Sequence, residues 1–297
     1  MDLWILFTLA AAGLQTTRFV LQKRLAAGAL STAGATFARF LFAAPLACGL
    51  AAAGLALTGT PIPLPGPAFF LAVAAGGVAQ IVATDLTVRL FGLRNFTVGV
   101  AFTKTETVDV AIFSALILGE VIPATGWAAI GLGLLGVLLI SRGPEPGAPV
   151  LGRAALYGLA AGALFGIASV GYRAATLALE PAPFLLRALI ALAAATLAQT
   201  VVMALWLSWK EPGEIGRVVE GWRRTALVGL TGMLGSLCWF AAFALQSAAY
   251  VRALGQVEMV FTLAASVFLF RERLRFREAA GIALVVLSLV GLVFAAG

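Results

Sequence analysis

Residues 102–109 read Phe102-Thr103-Lys104-Thr105-Glu106-Thr107-Val108-Asp109, setting one ammonium, two carboxylates and three hydroxyls inside an otherwise apolar run. Another carboxylate, Glu258, stands in a second such run. At the centre of a bilayer an ionised side chain costs about 2.5 kcal/mol or more, so these groups must face a partner, a cavity or a bound solute. Lys104 and Glu106 are about 200° apart around a helix and cannot point at one spot. Lys104 therefore looks to another helix, with Asp85, Glu258 or a substrate carboxylate as options. In the last case it reads an anionic group of the solute; otherwise it forms a structural ion pair between helices. Glu106 and Glu258 are the candidates for proton coupling, because a desolvated carboxyl holds its proton toward physiological pH and the chain has no histidine for that task. The competing reading makes each an acceptor that locks neighbouring helices together.

Gln15, Gln80, Thr84, Tyr172 and Trp239 join Lys104 as candidate substrate-binding residues, with Arg18, Gln246 and Tyr250 as further polar or aromatic groups inside apolar runs. Aromatic rings beside a few hydrogen-bonding groups suit an amphipathic solute such as an amino acid, although any one of them also serves as a packing or interface residue. Asp85 and Arg89 are four apart and pair locally. Glu120 and Glu272 stand at turns and are expected to cap the helices that follow.

Other chemistry is excluded by what is missing. Zero histidines and two cysteines, Cys48 and Cys238, leave no Ser-His-Asp triad, zinc-protease pair or thiolate–imidazole couple. None of the three lysines follows a glycine, so no phosphate loop is present. No enzyme activity, metal or cofactor is expected. The net charge of +7 invites a nucleic-acid reading, but the basic residues lie mostly in short loops between apolar runs, where lipid head groups and topology account for them.

The elements that must position these groups are membrane spans. The chain has 297 residues, 62% hydrophobic and 11% charged, with mean hydropathy +1.04; soluble domains carry about 25% charged residues. Ten apolar segments of spanning length are readable, at 3–22, 31–56, 68–89, 95–118, 124–141, 154–178, 182–207, 224–246, 249–270 and 277–296. The first has no basic flank or cleavage site and reads as a span rather than a signal peptide. A Gly143-Pro144-Glu145-Pro146-Gly147 linker near the midpoint divides the chain into two halves, 1–143 and 144–297.

Sliding the chain on itself by 152 positions superposes Glu106 on Glu258 and Glu120 on Glu272, and nine of 35 positions from 101 to 135 are identical. Ala and Leu matches come easily in apolar sequence; glutamates do not. Arg39 and Arg187 pair more loosely, at an offset of 148. Five spans per half is an odd number, so the second half enters from the opposite side. The expected fold is an all-α integral membrane protein of ten transmembrane helices in two inverted five-helix repeats around a central cavity. Gly158, Gly162 and Gly166, then Gly229, Gly232 and Gly235, recur at helical spacing and mark faces where helices approach closely.

A ten-span duplicated unit, an Arg39-Phe40 pair in span two, and a buried Glu fourteen residues before a turn Glu resemble the drug/metabolite transporter superfamily, EamA-domain branch. That family often has proline after the buried Glu, where this chain has Thr107 and Met259. The resemblance implies a secondary transporter of the cytoplasmic membrane, multi-pass and surrounded by lipid, exporting small metabolites by alternating access. Amino acids, aromatic ones among them, are the leading substrate, and protons a coupling ion; a monomer is expected and no nucleic acid. A drug-like cation, a sugar, a nucleotide-related metabolite, a channel or a membrane-embedded enzyme are the rival readings.

Loops after the odd-numbered spans hold Lys23, Arg24, Arg89, Arg94, Arg142, Arg153, Lys210, Arg217, Arg223, Arg224, Arg271, Arg273, Arg275 and Arg277; the other side holds Arg173 and Arg252. By the positive-inside rule the odd loops are cytoplasmic and both termini outside. The resemblance implies cytoplasmic termini instead, and the charge distribution is taken as the guide.

Overall fold

The computed structural model describes residues 2–26, 30–59, 65–90, 93, 102–140, 152–261 and 276–296. Among them every regular element is helical. Residues 95–101, the 143–147 linker, the boundary between the two halves, Arg94, Arg142, Arg271, Glu272, Arg273 and Arg275 lie outside the described residues.

The helices are α1 (Leu3–Ala26), α2 (Thr32–Leu41), α3 (Ala43–Thr58), α4 (Pro67–Leu90), α5 (Glu106–Phe113, continued by a π turn over Ser114–Leu118), α6 (Ala124–Ile140), α7 (Arg153–Leu177), α8 (Phe184–Lys210), the short α9 (Glu214–Glu220), α10 (Trp222–Leu245), α11 (Ala248–Leu254) and α12 (Phe276–Ala296). Among the described residues, six segments are long and apolar enough to cross a bilayer: Leu3–Gln22, Thr32–Thr58, Pro67–Leu90, Arg153–Leu177, Phe184–Lys210 and Trp222–Leu245. The apolar stretches Ala124–Leu139 and Ala279–Ala295 are shorter.

Local chemistry sets the ends and breaks. Ser31 caps α2 by accepting the Gly34 N–H at 2.9 Å, and Ser247 does the same for α11 through Tyr250. The Thr32–Thr58 span breaks at Phe42 because Pro45 has no N–H for the Leu41 carbonyl and its ring crowds that carbonyl. Arg39 is thereby left in the last turn of α2, beside the break. Gly119, in the left-handed region at φ 66°, closes the π turn, and the Glu120 N–H reaches back to the Ser114 carbonyl at 3.3 Å.

The most extensive helix pairs are α1 with α10, α4 with α7, α3 with α8, and α6 with α12. Matching α1 to α7, α2 and α3 to α8, α4 to α10 and α6 to α12 carries this set onto itself: α1–α10 exchanges with α7–α4, while α3–α8 and α6–α12 each map to themselves. Glycine permits the closest approaches. A Cβ on Gly171 of α7 would come within 2.9 Å of the Ala72 carbonyl and 3.1 Å of Gly76 Cα on α4. Gly162 and Gly166 lie against α5, and Gly232 and Gly235 against α1 and α2, where the glycine periodicity predicts close packing.

Large apolar side chains such as Leu57, Leu71, Leu205 and Phe294 point outward, as a lipid-facing surface requires. At the odd-loop end, Lys210 stacks on Trp209 at 3.6 Å and Arg223 lies 5.8 Å from the Trp222 ring, pairs suited to the bilayer interface.

Two sequence expectations are corrected. Arg173 and Arg252, counted as the charges of the even-loop side, turn inward instead: Arg173 bonds Glu120 at 2.9 Å and the Phe243 carbonyl at 2.5 Å, and Arg252 bonds Glu106. Glu120 is not a helix cap either. Helix α6 starts four residues later, at Ala124, and the carboxylate serves Arg173, a stronger partner than exposed amides.

Candidate functional site

The site is built around two backbone breaks. Before α5 the chain turns at Lys104 and Thr105, where the bonding pattern tightens from i+4 to i+3: Thr105 N–H reaches the Phe102 carbonyl at 3.2 Å and Thr107 N–H the Lys104 carbonyl at 3.4 Å. Threonine drives this locally. The Thr105 and Thr107 hydroxyls donate to those same two carbonyls at 2.8 Å each, competing with regular helix bonds. After α11 the chain turns again at Gly255 and Gln256, with i+3 bonds from Gln256 to Ala253 at 3.2 Å and from Glu258 to Gly255 at 3.1 Å. Both breaks come just before the matched glutamates, and no proline is involved. Gln256 Nε2 donates to Thr107 Oγ1 at 2.6 Å, tying one break to the other.

Each glutamate is served by a cation from the other half of the chain. Glu106 Oε2 accepts from Arg252 at 2.5 Å, and its Oε1 from Ser169 at 3.4 Å. Glu258 Oε2 accepts from Lys104 at 3.4 Å and from Gln15 at 2.9 Å. All four charged side chains are at most 13% exposed. Of the options open to Lys104 on sequence grounds, the structure realises Glu258. Gln15 Oε1 in turn accepts from Trp239 Nε1 at 3.1 Å, and the Arg252 guanidinium sits 4.4 Å from the Trp239 ring centroid, a cation–π contact.

A second polar cluster adjoins the first. Tyr172 donates to Gln80 at 2.9 Å, and Gln199 bonds Gln80 at 2.9 Å, the Tyr172 oxygen at 3.1 Å and the Gly77 carbonyl at 3.1 Å. Arg39 donates to the hydroxyls of Thr84 and Ser236, each at 3.2 Å, and lies 5.3 Å from the Phe40 ring. Tyr172 packs on Phe240 with ring centroids 4.4 Å apart. Between the clusters is a cavity lined by Gln15, Arg39, Gln80, Glu106, Ser169, Tyr172, Ser236, Trp239 and Arg252. Its room for water centres is about 20 Å³, enough for about one molecule.

Gln15, Gln80, Thr84, Lys104, Glu106, Tyr172, Trp239 and Glu258 thus all fall in these two adjoining clusters. Gln246 and Tyr250 do not: Gln246 accepts from the Ser247 N–H, and Tyr250 donates to the Ala295 carbonyl. Asp85 and Arg89 pair with each other at 2.6 Å, as their spacing predicts. Sequence reasoning missed Ser169, Gln199, Ser236 and Phe240, and counted Arg252 only as a charge of the even-loop side. The signal was periodic: Phe165, Ala168, Ser169 and Tyr172 on α7, and Ser236, Trp239, Phe240 and Phe243 on α10, follow the i, i+3, i+4, i+7 spacing of a single face.

Helices long enough to span a bilayer, enclosing ion pairs and amides at their centre, define a polytopic membrane protein with an internal polar site. The model of the EamA-like transporter family matches residues 2–142 and again 152–294. The chain belongs to the EamA-like transporter family, as two repeats of its domain, and is a membrane transporter. A search of curated proteins returned no match. Among solved structures, a crystal structure described only as that of a protein is similar at 17% identity with a TM-score of 0.73, over 99% of this chain and 97% of its own. That likeness concerns the fold.

Proposed function

We propose that the chain is a secondary transporter of small metabolites, built as two inverted five-helix repeats with ten spans, that exposes one central site to each side of the membrane in turn. The observation that carries the reading is the pair of equivalent helix breaks, each followed by a buried glutamate ion-paired to the opposite half. Broken helices meeting near the bilayer midplane at a repeat interface are the construction of a carrier site. Opposite charges that close on one another supply a contact which a rocking motion can break and remake.

Amino-acid export is the preferred specific reading. Trp239 and Tyr172 offer apolar faces, Gln15 and Gln80 offer amide groups, and the charged pairs match a zwitterion. With room for about one water, the cavity has to widen for any such solute, so the arrangement suits an occluded resting form. Glu106 and Glu258 are the groups for proton coupling. The odd-loop side faces the cytoplasm in this reading, supported by the inward turn of Arg173 and Arg252, which leaves the even loops with no lysine or arginine of their own.

Counterflow in proteoliposomes tests the reading. Preloaded unlabelled solute should drive saturable uptake of labelled solute recovered chemically intact. Non-saturable flux would indicate a channel, and altered product an enzyme; either would overturn the proposal.

A further inference from the structure

We propose that Arg39 is the anion-binding residue of the site and that the transported solute presents a carboxylate to it. This rests on the transporter reading and specifies its substrate class. Among the described residues, Arg39 meets no carboxylate. Its two terminal nitrogens donate to the neutral hydroxyls of Thr84 and Ser236, although the residue is only 4% exposed. Each terminal nitrogen carries two hydrogens and each makes one bond, so both retain a donor.

The other central cations are matched or less well placed. Lys104 is held by Glu258 and Arg252 by Glu106. Arg187, the counterpart of Arg39 in the second half, has Glu180 at 2.6 Å. Arg18 donates to Gln22 at 2.5 Å and does not line the cavity, whereas Arg39 does. Counting Arg18, Arg39, Lys104 and Arg252 against Glu106, Glu258 and the partly buried Asp109 leaves one positive charge in excess. An uncompensated buried cation is costly, and a bound anion relieves that cost. A planar guanidinium that lines the cavity and keeps a donor on each terminal nitrogen can serve the two oxygens of a carboxylate. The adjoining Tyr172–Phe240 pair supplies an apolar wall for the body of the solute.

Three probes with the same aromatic body separate the charges: 3-phenylpropanoate (anion), phenylalanine (zwitterion) and phenethylamine (cation). On the purified full chain, the two carboxylates should raise the melting temperature and phenethylamine should not. Arg39→Met should weaken carboxylate binding about 10- to 100-fold, and Arg39→Lys, which keeps the charge and loses the fork, should weaken it less. Stabilisation by phenethylamine equal to that by the acids, stabilisation by none of the three, or unchanged acid binding in Arg39→Met would each overturn the proposal. If Arg39→Met does not fold, the wild-type probe series and the Lys variant decide. Counterflow on the same preparations separates the two readings: acid binding without transport removes the transport reading and leaves the anion site, while amine transport insensitive to Arg39→Met does the reverse.

Discussion

Removing both members of the Glu106–Arg252 pair should harm the fold less than removing either. The pair is 2.5 Å apart with both side chains nearly buried. Truncating one partner strands the other charge, which costs about 3–5 kcal/mol. At about 2–4 °C per kcal/mol, Glu106→Met or Arg252→Met alone should lower the melting temperature by roughly 6–20 °C. Arg252→Met is expected at the upper end, because it also loses the Trp239 face, worth about 0.5–2 kcal/mol. Glu106→Met leaves a guanidinium still resting on that ring. In the double Met variant no bare charge remains and the volumes are similar, so stability should return to within about 1–2 kcal/mol of wild type. Transport should stay abolished. The assay is thermal unfolding of the purified protein for all four members of the cycle, with counterflow beside it. A double variant as unstable as the two singles summed would refute the reasoning, since the two residues would then act independently rather than as one buried pair.

Three further outcomes are expected. Glu258→Gln, which keeps an acceptor for Gln15 but cannot exchange a proton, should retain counterflow and lose accumulation driven by a pH gradient; full gradient-driven uptake would remove Glu258 from coupling. Gly171→Ala, which forces a Cβ against the α4 backbone, should cost about 1–3 kcal/mol in unfolding measurements, whereas Gly13→Ala, with nothing within 4 Å of the new carbon, should be near neutral or slightly stabilising. A cysteine at Val121, an exposed even-loop residue, introduced with Cys48 and Cys238 replaced, should react with an impermeant thiol reagent added to intact cells; labelling only after lysis would reverse the orientation.

Much of this was legible in the sequence because charge is scarce in it. A glutamate in an apolar run has few tolerable environments, so the 152-residue offset between Glu106 and Glu258 pointed to duplicated units, and the family matches over 2–142 and 152–294 agree with it. The candidate residues gathered because polar groups in hydrocarbon have only one another to meet. What escaped was anything decided by a rotation or a turn. Arg252 is four residues past the start of α11, and its position along the chain gives no hint that its side chain reaches inward. The run 102–109 has the composition of a regular helix, but the threonine hydroxyls on either side of Glu106 take the carbonyls at Phe102 and Lys104 and the helix breaks there. Serines at 169 and 236 are small and commonplace, and only their place on one face with Tyr172 or Phe240 distinguishes them.

The crossing of the two ion pairs bears on how the chain is made. During synthesis the first repeat enters the membrane with Lys104 and Glu106 in place, yet the residues that pair with them lie about 150 positions downstream. Until Arg252 and Glu258 emerge, neither of the two crossed ion pairs can form. The nascent first half therefore has reason to remain loosely assembled, or held by insertion machinery, and to seal only once the segment carrying Arg252 and Glu258 arrives.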